Sequence, residues 1–326
     1  MKRRKFKKPI VYVSKCLGFD SCRYNGQMIF SEFVDMLQEH VHIALVCPEV
    51  EIGLGVPRHP IRLVKDKDGR MKLLQYSTEA DVTPAMSSFI KEFFAHIGDI
   101  DGFVLKSRSP SCGMADVKIY PSLGKVSSIG SGKGFFGGAA LEHLPHVPLE
   151  DEGGLTNYRI REHFLTRIYA SADFRSVKKR GRMRDIVEFH GQYKYLLMAY
   201  SQKQLRILGR IVANHERKTA GEVFAEYEEH FHEAMARMPR YTAYINALTH
   251  VMGHFSRVIP GRERQFILDS IEMYREERVP LSVPLNLLRS HAIRIEDEYL
   301  MNQVFFEPFP PELVLITDSG KGRKSR

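Results

Sequence analysis

Cysteine is scarce in this chain: Cys16, Cys22, Cys47 and Cys112 are the four thiols among 326 residues. Four are too few to staple a disulfide-dependent fold, and no two stand in the C-x-x-C spacing of common metal sites. Long apolar runs are missing as well. No stretch approaches the roughly eighteen residues that a membrane-spanning helix needs. The basic opening Met1–Lys8 is followed only by the short run Ile10–Val13, which is not the apolar core of a secretory leader. A cytoplasmic, reducing location is therefore expected, with thiols free for metal binding or catalysis. There is no repeat of solenoid period and no low-complexity tract. Acidic residues are the minority charge, 39 against 48 basic, so the formal charge is +9 and the pI about 9.3. That balance favours polyanionic partners such as nucleic acid. Ten of the cations lie in Met1–Lys8 and Lys321–Arg326, which leaves the rest of the chain nearly neutral and makes the two tails basic arms. With 43% hydrophobic and 27% charged residues, the chain is an ordinary folded protein long enough for about two domains.

The first half alternates strand-like and helix-like segments, which predicts an α/β domain with a largely parallel sheet. Ile10–Ser14, His42–Val46 and Gly102–Lys106 read as buried strands, and 61–64 with 71–76 reads as a hairpin around Asp68-Gly69. Helices are expected over 30–41, over 134–143, over 157–174, and from Thr83 as N-cap to Ile97. From Arg184 onward, strand-like alternation nearly disappears, and amphipathic patterns predict helices over 184–214, 219–237, 240–258, 261–277 and 294–306. The sequence is thus read as an α/β domain (1–174), a basic linker or helix-terminal patch (175–184) and an all-α domain (185–326).

Cys16, Cys47 and Cys112 each fall just past the carboxyl end of an expected buried strand. In an open parallel sheet, ligands bind beyond those ends, so three thiols remote in sequence can converge. Three thiolates leave one position open on a tetrahedral zinc or on one iron of a cubane cluster. Free cysteine also packs as a small hydrophobe. However, Cys47-Pro48-Glu49 and Ser109-Pro110-Ser111-Cys112-Gly113 are polar, turn-forming contexts, and each sets a titratable or hydroxyl group beside a thiol.

Several of these segments resemble one family. Ser14-Lys-Cys-Leu-Gly18, Arg23-Tyr-Asn-Gly26, Cys47-Pro-Glu49, Gly53-Leu-Gly-Val-Pro-Arg58 and Ser109-Pro-Ser-Cys-Gly113, in this order, are similar to the thiouracil desulfidase (TudS-like) domain over residues 8–165. Phe189-His-Gly-Gln-Tyr-Lys-Tyr-Leu-Leu-Met-Ala199 with Leu208-Gly209 resembles the YbgA-like helical domain. The pairing of the two resembles the tRNA 4-thiouridine desulfidases. The resemblance implies a [4Fe-4S] cluster held by Cys16, Cys47 and Cys112, with the fourth iron open to sulfur. It further implies hydrolysis of the carbon–sulfur bond of a thiolated pyrimidine to carbonyl and sulfide, and a helical domain that holds tRNA. Glu49 is the matched acid/base and Ser109 the matched hydroxyl, with Ser111 a second choice that spacing does not separate from it. The chain departs from the pattern at Asn25, where an aspartate is usual, and at Cys22, an additional thiol. Two other readings stay open: a desulfidase of free thiouracil bases or nucleosides, and a non-catalytic, metal-stabilised nucleic-acid-binding module.

Other candidates are weighed beside these. His250 and His254 stand at i and i+4, the spacing of a two-imidazole metal site or of ordinary hydrogen-bonded helix histidines. His190 and Lys194, similarly spaced, form a polar pair or a solvated face. The aromatics of 193–200 read as core rather than as a stacking platform. Ser127–Lys133, before a helix, reads as an anion cradle or a surface loop. Arg23 and Arg58 bind a phosphate or carboxylate, or pair with sheet-end acids.

Overall fold

Ile10–Ser14 forms strand β1, with Val11 and Val13 fully buried. Burying such a side chain contributes about 1.5–3 kcal/mol, which is what recruits these short apolar runs into a sheet interior. The computed structural model describes residues 4–255 and 258–320. After β1 come α1 (Glu32–Leu37), β2 (His42–Val46), α2 (Pro48–Glu51), β3 (Ile61–Lys65), β4 (Met71–Gln75), α3 (Thr83–His96), β5 (Gly102–Leu105), β6 (Val117–Tyr120), β7 (Gly130–Gly132), α4 (Phe135–His143) and β8 (Leu149–Asp151). Helices α5 (Tyr158–Arg180), α6 (Met183–Tyr200), α7 (Gln202–Ala213), α8 (Ala220–Met235), α9 (Tyr241–Phe255), α10 (Gly261–Arg275), α11 (Ser282–Arg294) and α12 (Glu298–Met301) complete the order. The expected fold class holds: an α/β region precedes a region of helices.

The chain divides into two units, and the division falls inside α5. The α/β unit comprises 7–172 together with 312–320. Its first sheet has the order β2-β1-β5-β8 and is parallel throughout. The second, β4-β3-β6-β7, is mixed: β3 and β4 form the expected hairpin, turned at Gly69 with φ +82°. An aromatic core joins Tyr12, Phe89, Phe93, Phe94 and Phe103 to the fully buried Phe136 of α4, whose ring meets Phe93 edge-on at 5.1 Å. Buried Arg161 ties the returning 312–320 segment to this unit, donating to the carbonyls of Leu315 and Thr317 as well as Leu155. The helix opening at Thr83 is capped differently from the expectation. Asp81 accepts from Thr83 N, while the Thr83 hydroxyl turns to Leu73 N of β4.

The helical unit comprises 4–6, 173–255 and 258–311 among the described residues. Phe174, Phe189, Tyr193, Tyr227 and Phe231 pack ring on ring at its centre. Tyr193 and Tyr195–Ala199 are buried, as read from sequence. The single helix expected over 184–214 is two, broken at Ser201, whose hydroxyl caps α7 by accepting from Gln204 N. Helix α11 lies outside the helices expected from sequence; Pro280 precedes it and Pro284 lies in its first turn, where no N–H is needed. The 294–306 helix is reduced to the four-residue α12 and a 3₁₀ turn. Arg4 is committed within this unit, pairing with Asp173 and donating to the Glu307 carbonyl, so it is not part of a free basic arm. The patch at 175–184 is also largely engaged: Arg180 and Arg182 converge on Asp185, and Lys178 pairs with Glu228.

Candidate active site

The three parallel strands β2, β1 and β5 end side by side, and Lys15 N donates to Val46 O at 3.0 Å as the last rung before both neighbouring cysteines. Cys16 follows β1, Cys47 follows β2 and caps α2, and Cys112 lies in the loop after β5. All three line one cavity of about 330 Å³, and Cys22 lines it too. Cys22, Cys47 and Cys112 are buried, while Cys16 is partly exposed. Burial pushes the Cys112 thiol up to about 12, against a hydrogen bond from Ser14, with the Glu49 charge adding to the rise. Burial also pushes Cys22 up to about 12, reinforced by its close contact with the Cys47 sulfur. Cys16 is raised by burial and by the three other thiols. Cys16, Cys22 and Cys112 thus stay protonated until a cation displaces the protons.

Glu49 stands in the first turn of α2, beside Cys47. Arg58, whose side chain is 3% exposed, holds one of its oxygens through Nε at 2.8 Å and Nη2 at 2.7 Å. The other oxygen accepts from the Ser111 hydroxyl at 2.7 Å. Ser109 and Ser111 Oγ are 2.9 Å apart. Since the one Ser111 proton goes to the carboxylate, Ser109 is the donor between the two, giving a directed chain Ser109 to Ser111 to Glu49. Of the two serines left unseparated by spacing, Ser111 is the one in contact with Glu49. Arg58 also donates to the Cys22 carbonyl at 2.9 Å and so ties the Cys22 loop to Glu49.

The loop carrying Ser109–Gly113 is clamped by the start of α4. Gly134 N donates to Gly113 O, Phe135 N to Pro110 O, and Phe136 N and Gly137 N to Ser111 O, at 2.7 to 3.1 Å. These bonds consume the N–H groups that the expected anion cradle at Ser127–Lys133 required, so that reading is corrected. A Cβ on Gly137 would stand 2.4 Å from Cys112 O and 2.5 Å from Gly113 O. Gly137→Ala is therefore expected to push the loop off the helix. It should lower stability by roughly 1–3 kcal/mol, with Gly98→Ala, which meets nothing within 4 Å, close to wild type. Thermal melts read this out.

Lys106 and Glu152 were not singled out from sequence. Glu152, just past β8, pairs with Lys106 and accepts from Ser107 N at 2.8 Å and Ser107 Oγ at 2.7 Å, while Ser14 Oγ accepts from Lys106 N at 3.0 Å. Their signal lies in strand order alone, since 46 residues separate the pair. Asn25 sits outside the cavity in an exposed turn, bonded to Gln27. Away from the site, His254 Nε2 is 2.7 Å from the Tyr195 hydroxyl and its ring stacks on Tyr299, while His250 is exposed. No group of three metal-binding side chains forms around them or elsewhere among the described residues. His190 Nδ1 meets the Tyr227 hydroxyl at 3.2 Å, and burial, aided by Lys194, lowers its pKa to about 4, so it is neutral at pH 7. No helix among the described residues is long and apolar enough to cross a membrane.

A sheet-end cavity lined by cysteines, with an anchored carboxylate and hydroxyl beside them, defines a thiol-based ligand site of the α/β class. Comparison with known proteins narrows it. The model of a family described as 2-thiouracil desulfurase matches residues 11–152, and that of a protein family of unknown function (DUF1722) matches residues 194–310. YbbK of Bacillus subtilis (strain 168), an uncharacterized protein, is 32% identical over 111 residues, or 32% of this chain and 73% of YbbK. YbgA of Escherichia coli (strain K12), also uncharacterized, is 29% identical over 154 residues, 47% of this chain and 91% of YbgA. A solved structure titled as the [4Fe-4S]-dependent thiouracil desulfidase TudS (DUF523Vcz) is 28% identical, covering 45% of this chain and 93% of that one, with a TM-score of 0.34. The chain belongs to the 2-thiouracil desulfurase family through its N-terminal half, and its second half carries a DUF1722 region.

Proposed function

We propose that this protein is a tRNA 4-thiouridine desulfidase, which exchanges sulfur for oxygen without net redox change: thiocarbonyl plus water gives carbonyl plus hydrogen sulfide. The observation that carries this reading is the meeting of Cys16, Cys47 and Cys112 with the Glu49–Ser111 pair in one cavity. Three sheet-end thiols lining one cavity are a donor set that fits a [4Fe-4S] cluster, which takes one thiolate per iron and leaves the fourth iron open. Cys16, Cys47 and Cys112 would hold it. When bound, the cluster supplies a thiophilic Lewis acid that favours loss of sulfur from the thiocarbonyl.

The chain's own residues manage water and protons. Glu49 accepts the proton of the attacking water, directly or through Ser111, and returns it as bonds rearrange. Arg58 fixes one carboxylate oxygen, which leaves the other facing Ser111. Ser109 holds Ser111 in line and, by accepting from Cys112 N at 3.1 Å, couples the relay to the cysteine loop.

Anaerobic reconstitution with iron and sulfide, then nucleoside analysis of thiolated tRNA, tests the proposal. Uridine and sulfide should replace 4-thiouridine, and persistence of 4-thiouridine with a loaded cluster overturns it. The name of the matched family supports free thiouracil as substrate equally well, and the same preparation assayed on 2-thiouracil separates the two. RNA binding without sulfide release from either would mark a non-catalytic module. Because Arg4 is held internally, tRNA contact by the basic tails falls to the exposed Lys5 and Lys7 and to residues 1–3 and 321–326, the last two segments lying outside the described residues. Trimming these two segments is expected to weaken tRNA binding and flatten its salt dependence at unchanged iron content.

A further inference from the structure

The α/β unit has a second cavity, and no residue lines both it and the cysteine site. It is a groove of about 700 Å³ between α3 and α4, within the size range of small-ligand sites. Ile90 and Phe94 of α3 and Phe135 and Ala139 of α4 give it an apolar, partly aromatic wall. The Phe94 and His143 rings stack at 4.9 Å with 3° between their planes, which joins the two helices near their carboxyl ends. Charge along the groove is uneven. Lys133 stands just before α4 and Glu142 near its end, while Lys91 lines the groove from α3. Among the described residues none of these three side chains has a hydrogen bond or an ion pair. Lys133 is nevertheless placed. A Cβ on Gly138 would meet the Lys133 Cβ at 3.2 Å and its Cδ at 3.6 Å, so the lysine stem lies along the helix where Gly138 leaves room for it.

At a helical rise of roughly 1.5 Å per residue, Gly134 and Glu142 stand about 12 Å apart along α4, which leaves room for one nucleotide. The chemistry of the lining selects the kind. Ammonium groups take a phosphate as point charges, and the aromatic wall takes a flat ring. A carboxylate accepts from an exocyclic amino group but has no proton to offer a carbonyl. We propose that the groove between α3 and α4 is a second ligand site, which takes a single nucleotide with an amino-bearing base, its phosphate at Lys91 and Lys133 and its amino group at Glu142. Uracil has no such amino group, so this ligand is not the product of desulfuration, and the inference stands apart from the desulfidase reading.

Calorimetry on the full-length protein compares AMP with adenosine, which lacks the phosphate, and with IMP, which carries a carbonyl in place of the amino group. AMP should bind about tenfold or more tightly than either, and its advantage over adenosine should shrink as salt rises. Lys91→Gln and Lys133→Gln combined should bring AMP down to the adenosine level. Glu142→Gln is the sharper variant, because its amide can donate to a carbonyl, and the preference for AMP over IMP should vanish or reverse. All three side chains are exposed, so melts of these variants should match wild type. Absence of AMP binding, equal binding of the three ligands, or an AMP preference that survives these substitutions overturns the proposal. The dinucleotide ApA should bind no more tightly than AMP; tighter binding would make the occupant an RNA strand and overturn the single-nucleotide assignment.

Discussion

Cys16→Ala, Cys47→Ala and Cys112→Ala proteins, each reconstituted anaerobically, are expected to retain less than about a tenth of the wild-type cluster, whereas Cys22→Ala retains it. The magnitude follows from where the thiols sit. Each is carried by a different loop, after β1, β2 and β5 respectively, so none can be replaced by a neighbour on its own loop except Cys16, six residues from Cys22. The Cys22 thiol lies against Cys47 and its carbonyl is held by Arg58, which is why Cys22 is expected to accompany the proposed ligand Cys47 rather than to serve as a ligand itself. Loading should also cross-link the three loops. Wild type should therefore melt at a higher temperature with cluster than without, and the three ligand variants should lose that increment. Iron and acid-labile sulfide per chain, with paired melts, provide the measurement. Full loading of Cys47→Ala would remove the ligand assignment; loss of loading in Cys22→Ala would make the set four thiolates and deny the substrate an open iron.

Much of this arrangement could be read before any coordinates, for a physical reason. β5 is buried throughout, β1 at three of its five positions and the edge strand β2 only at Val46, yet all three appear as short, continuous apolar runs whose ends are sharp. The cysteines just past those ends could be placed by topology alone. The hairpin of β3 and β4 was legible through Asp68-Gly69, since the turn needs a residue that tolerates positive φ. What stayed hidden was chiefly non-local. β7 and β8 are three residues each, too short to show a period, and with β8 unseen nothing linked Glu152 to Lys106. The Arg58–Glu49 pair was one of two alternatives until the fold joined the loop after α2 to the helix itself. The same holds for the α4 clamp: the helix expected over 134–143 gave no sign that Gly134 and Gly137 let carbonyls of the Cys112 loop approach the helix backbone. In the helical unit no helix was expected between Pro280 and residue 294, where Pro284 sits in the first turn of α11 at a position that needs no N–H.

Glu49→Gln is expected to load a full cluster and to lose turnover by roughly 100- to 10,000-fold, the range of a general acid/base contribution. Glutamine is the informative replacement. Its amide oxygen can still accept from Arg58 or Ser111, whereas alanine would strand the Arg58 guanidinium, 3% exposed and without its carboxylate. That defect alone costs several kcal/mol and would mix misfolding with lost chemistry. The hydrogen-bond chain sets an order for the hydroxyls. Ser111→Ala removes the group that touches the carboxylate and should lower the rate more than Ser109→Ala, which removes a donor one step further away. Ser109 also accepts from two backbone N–H groups, Ser111 N and Cys112 N, so its substitution should show in iron retention as well as in rate. Single-turnover desulfuration at matched cluster content separates these effects: chemistry falls in Glu49→Gln and Ser111→Ala at constant iron, while Ser109→Ala falls mainly with its iron. Turnover of loaded Glu49→Gln within tenfold of wild type would mean that water is activated elsewhere in the cavity, and the pairing of Arg58 with Glu49 would then be a structural tie between α2 and the Cys22 loop.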